Sequence, residues 1–139
     1  MPQIGYLMEN SPNLLDPFDG WSAVLSVASI APHQTAVFRF SSDRDSDEYY
    51  LACINCHRVE TNWRWSVSHL DVFFRENVLK QKRMAPKWLE DLLLSGNPFC
   101  DTIIEDIESQ MRVLCYAAVV LDRESYKRRF KNTPPFGLD

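Results

Sequence analysis

The chain has 139 residues, 45% hydrophobic and 24% charged, with 19 acidic against 15 basic side chains and a formal net charge of −4. One ordinary domain of this size buries a core without disulfides or a structural metal, and the balance of hydropathy and charge excludes a disordered chain. A net negative molecule repels phosphate backbones, which argues against direct nucleic-acid binding, and no run reaches the roughly 18 apolar residues of a membrane span.

The first twenty residues mix Asn10, Ser11, Pro12, Asp16, Pro17, Asp19 and Gly20 with Leu14, Leu15 and Phe18. Turn formers punctuated by apolar anchors predict an irregular lead-in packed on the surface. Trp21, Val24, Leu25 and Ala28 stand at helical spacing and favour a short helix over 21–31, although the same run also fits a buried strand ended by Pro32.

From Gln34 the period becomes two, with Ala36, Phe38 and Phe40 on one side and Val37 and Arg39 on the other. The aromatic and apolar run Tyr49 to Val59 and the alternation of Trp63, Trp65 and Val67 with Arg64 and Ser66 extend this to an antiparallel meander of at least three strands.

Helical signals follow. Ser68 with Asp71 resembles a capping box ahead of Leu70, Phe73, Phe74 and Val78, and Pro86 to Gly96 carries Trp88, Leu89, Leu92 and Leu93 on one face. Asp101 as a cap, with Ile103, Ile104, Ile107, Met111, Leu114, Cys115 and Ala118 as a stripe, predicts a third helix. Val119 and Val120 leave a closing strand open over 116–121.

Strands first and helices afterwards predict an α+β fold. Its antiparallel sheet would lie in the N-terminal half and be covered on one face by helices from the C-terminal half. The organisation expected is one domain over 1–139, with the lead-in at 1–20 and a basic, proline-containing tail from about 127 to 139, which holds Lys127 to Lys131 and Pro134-Pro135.

Cys53-Ile54-Asn55-Cys56-His57 matches the C-x-x-C-H pattern of haem attachment, but residues three apart on a regular strand point to opposite faces. Cys53, Cys56 and His69 also fit three ligands of a zinc spacing. Phe73, Phe74 and Arg75 stand where the fourth belongs, so a closed site would need His57, His33 or Cys100. With no cationic segment ahead of an apolar run at the N-terminus, the chain reads as cytoplasmic, and the bland reading of its cysteines is buried, reduced thiols.

Asp43, Asp45 and Asp47 alternate like the first ligands of a calcium loop, yet Glu48 and Ile54 occupy the positions of the required Gly and Glu. Ser66, Ser68, His69 and Asp71 supply hydrolase residue types without a nucleophile turn. Glu105, Asp106 and Glu108 fit a solvated helix face, with Glu108 placed to pair with Arg112. The basic groupings Lys80, Lys82, Arg83 and Lys87, and Lys127 to Lys131, carry no nucleic-acid motif.

These readings favour a small acidic binding module, acting by stoichiometric occlusion in the manner of an immunity protein, antitoxin or phage-type inhibitor. No cofactor is expected in that reading. Asp43, Asp45, Asp47 and Glu48 would steer a basic toxin or nucleic-acid enzyme while Trp63, Arg64 and Trp65 supply desolvated contact, and a homodimer is compatible with the chain. The alternatives are a zinc protein built on Cys53, Cys56 and either His57 or His69, and an enzyme assembled from distant residues.

Overall fold

The structure is a computed structural model that describes residues 2–8, 14–29, 35–74 and 101–130. It consists mostly of antiparallel sheet curled into a half-barrel, which overturns the α+β arrangement of a sheet under helices. Eight strands, β1 (Gly5–Tyr6), β2 (Ser22–Ser29), β3 (Thr35–Ser42), β4 (Asp45–Glu60), β5 (Arg64–Ser66), β6 (Asp71–Phe74), β7 (Thr102–Asp106) and β8 (Met111–Asp122), precede a single described helix, α1 (Arg123–Arg129). The path across the sheet is β5-β2-β3-β4-β8-β7-β6, with β1 joined to β8 beside it.

The connectivity forces the curl. Flat, seven strands would hold β5 and β6 about 29 Å apart, six steps of roughly 4.8 Å. Residues 67–70 are all that join these outermost strands, and the five residue steps from Ser66 to Asp71 reach about 17 Å at most. The two ends of the sheet must therefore approach each other, and the inner face becomes the main core.

Phe38, Phe40, Leu51, Ile104, Val113, Cys115 and Val120 fill that core without measurable exposure. The lead-in supplies its plug: Pro17 sits at the start of a 3-10 turn, and Leu15 and Phe18 are buried rather than laid on the surface. Phe18 packs 4.6 Å from Phe40 and edge-on to Trp21 at 5.2 Å. Gly20, at φ +85°, turns the chain into β2, and its N–H donates to the Val67 carbonyl at 2.8 Å.

The segments expected as strands are β3, β4 and β5, but they do not form one meander: β3 and β4 pair, whereas β5 crosses over to pair with β2. The helices expected over 21–31 and from Ser68 are instead β2 and β6, and the long helix expected from Asp101 is the β7–β8 hairpin. Neighbouring strands outbid helical spacing here. Ile103 and Ile104 pair with Leu114 and Val113, and a turn closed by Gln110 N–H to the Ile107 carbonyl at 3.2 Å joins the strands. The closing strand over 116–121 is part of β8. The expected helix at 86–96 lies outside the described residues.

The outer face carries a smaller core of Val37, Tyr50, Ala52, Val119, Leu121 and Tyr126. Helix α1 covers it, stacking Tyr126 on Tyr50 at 4.1 Å. Asp122 caps α1 by accepting from the Ser125 N–H at 2.8 Å, a bond that lowers its pKa, and Lys127, Arg128 and Arg129 complement the C-terminal end of the dipole. The first residues of the basic tail are thus helical. No described helix is long and apolar enough to cross a membrane.

Candidate functional site

The cysteine motif resolves first. Asn55 adopts φ +52°, so the strict alternation of β4 breaks between the two cysteines and both thiols enter the inner core. Cys56 stands opposite Cys115 on β8, and its Sγ donates to the Cys53 carbonyl at 3.2 Å. A hydrogen bond with Cys115, together with burial, raises the Cys53 thiol well above its ordinary range, and burial pushes Cys56 up to about 12. These are protonated core thiols.

Neither described histidine joins them, and His33 and Cys100 lie outside the described residues. His57 is exposed on β4, while His69 lies between the Asp19 carboxylate, at 3.1 and 3.2 Å from Nδ1, and Asp71, at 3.5 Å from Nε2. Among the described residues no group of three or more His, Cys, Asp or Glu side chains is set to hold a metal ion. Nor do the hydrolase residue types converge: the Ser68 hydroxyl donates to Glu108 at 2.6 Å, and both ring nitrogens of His69 face carboxylates.

The acidic residues at the β3–β4 turn are scattered in environment. Asp43 and Asp47 are exposed, Asp45 stands opposite Ser42, and Glu48 accepts from the Tyr50 hydroxyl at 3.0 Å. Trp65 is buried against Phe38, leaving Trp63, 53% exposed, and Arg64 at the surface. Trp63 bonds to Leu25, whereas Ser41, just before the acidic turn, lies level with Ser22. The structure therefore separates the acidic turn from Trp63 by two strands and about 10 Å along β2.

A different set converges. Ladder register aligns Glu60 with Arg112, Arg112 with Glu105, and Glu105 with Asp71 across β4, β8, β7 and β6. Arg112 donates from Nε to Glu105 at 2.9 Å and from Nη1 to Glu60 at 3.4 Å, and Arg58 pairs with Glu60 at 2.6 Å. The Glu105 side chain is only 3% exposed, and Arg112 is its ion-pair partner. Far from lying on a solvated helix face, Glu105 and Asp106 are buried, and Arg112 pairs with Glu105 rather than Glu108.

Asp106 fixes the turn beside them. Its carboxylate accepts from the Ser68 N–H at 2.8 Å and the Ser109 N–H at 3.3 Å, and the Ser109 hydroxyl donates to the Ser66 carbonyl at 2.7 Å. The result is a concavity of about 320 Å³ lined by Glu60, Glu105, Asp106, Ile107, Gln110, Met111 and Arg112. Three carboxylates line it beside the Arg112 guanidinium, with Arg58 held on Glu60 from outside the lining, and Ile107 stands 66% exposed at its rim. Such a hollow suits a cationic group carried on an apolar stem.

No family model, curated protein or solved structure matches this chain. The site therefore rests on its own geometry. Sequence patterning does not reveal it, because helical spacing from Asp101 puts Glu105, Asp106 and Arg112 on a helix and Glu60 in a distant turn. The available signal was a β-branched run on each side of Ser109-Gln110, Ile103-Ile104 before it and Val119-Val120 after it, which favours strands over a helix.

Proposed function

We propose that this chain is a small acidic protein-binding module that occludes a basic partner stoichiometrically, as an immunity protein, antitoxin or phage-type inhibitor does, in the cytoplasm. The observation that carries the reading is the concavity beside the β7–β8 turn, where the three carboxylates Glu60, Glu105 and Asp106 exceed the two guanidiniums of Arg112 and Arg58 by one charge and the exposed Ile107 offers apolar contact. A lysine or arginine side chain of the partner would seat there, its stem against Ile107 and its charge toward Glu60.

The exposed Asp43 and Asp47 serve as steering charges in this reading, raising the encounter rate without forming the anchor. Trp63 and Arg64 belong to a second, separate patch.

The test uses the partner captured from the native cell and the variant Glu60→Lys, which reverses a partly exposed charge at the concavity. Binding weakened at least tenfold, mostly through faster dissociation, is expected by surface plasmon resonance. Unchanged affinity would remove the concavity from the interface.

A further inference from the structure

The closure of the sheet is held by two kinds of bond. Backbone hydrogen bonds tie the connector 67–70 to the end of the lead-in: Gly20 N–H to the Val67 carbonyl and Val67 N–H to the Trp21 carbonyl, each at 2.8 Å. Beside them His69 spans the same seam, with Nδ1 on Asp19 and Nε2 facing Asp71 at the start of β6. The preceding residue, Ser68, holds Asp106 through its N–H and Glu108 through its hydroxyl.

A neutral imidazole that donates its one N–H from Nδ1 to Asp19 has no proton or charge to offer Asp71 from Nε2; the cation keeps the Asp19 bond and also attracts the Asp71 carboxylate at 3.5 Å. We propose that His69 is a protonation-controlled latch on the closure of the half-barrel, tying the lead-in, the connector and β6 together as the imidazolium and releasing one of them when neutral.

The groups that face it all favour the cation: Asp16 and Asp19 from the lead-in and Asp71 from β6. The Asp19 hydrogen bond is the largest influence and raises the pKa of His69 above its ordinary value, with burial opposing it. The sign follows. A raised folded-state pKa contributes stability that is complete below the unfolded value near 6.5 and is lost as pH rises through the folded one. The ring is half exposed, so the effect is local to the seam rather than global. Because Ser68 braces the turn that walls the acidic concavity, the latch also bears on the shape of the site proposed above, but its test needs no partner.

The experiment is amide hydrogen exchange by NMR on the full chain, comparing protection factors at Gly20 and Val67 at pH 5.5 and pH 8.5, corrected for intrinsic exchange. Wild type is expected to lose protection several-fold at the higher pH, and His69→Gln to show the same lowered protection at both. Asp19→Asn, which keeps the ring, should bring the titration midpoint of His69 down toward its ordinary value. Equal protection at both pH values in wild type, or the same pH-dependent loss in His69→Gln, would overturn the latch.

Discussion

Two hairpins of this molecule are rich in acid, and they use it in opposite ways. At the β3–β4 turn Asp43 and Asp47 are exposed. At the β7–β8 turn Glu105 and Asp106 are almost wholly buried, one paired with Arg112 and the other with backbone N–H groups. Composition makes the two segments look alike. What separates them is register: Glu105 lies between Arg112 and Asp71 on a four-strand row, whereas the β3–β4 turn projects beyond its partners. A charge held in a ladder acquires a fixed geometry, and a fixed geometry can recognise another molecule.

The sharpest way to break the comparison is to remove the countercharge. Arg112→Met leaves Glu105 buried without its partner and is expected to cost about 3 kcal/mol of stability, since a broken buried pair strands a desolvated charge. Asp43→Asn, at an exposed position of the other hairpin, should leave the urea midpoint unmoved. Equal effects of the two changes would mean that burial does not distinguish the hairpins.

A smaller effect probes the bend behind the site. Asn55→Ala places a side chain with no local hydrogen bonding at φ +52° and should lower stability by about 1 kcal/mol, while Asn55→Gly should be close to neutral. If Ala and Gly behave alike, the left-handed residue is not what turns Cys56 inward.

The sequence carried the central strands plainly. Phe38, Phe40 and Arg39 alternate because one face of β3 fills the barrel and the other does not. The later strands were hidden for a physical reason: both faces of β7 are buried, so Thr102 to Asp106 shows no alternation, and a stripe at helical spacing emerges by accident across the turn. Neither could the strand parity of Cys53 and Cys56 be read correctly, because one left-handed residue between them reverses it. The candidate site combines these two obscurities. Glu60 lies far in sequence from Glu105 and Arg112, which face each other across one hairpin, and only the ladder register brings the three together.

The account rests on the concavity, not the β3–β4 turn, being where a basic group binds. The direct test is an NMR titration of the isotope-labelled chain with a short arginine-rich peptide, following every backbone amide. Saturable shifts concentrated at Glu60 and across Glu105 to Arg112, abolished by Glu60→Lys, are predicted. Shifts confined to residues 43–48, or spread evenly over all exposed carboxylates, would contradict it.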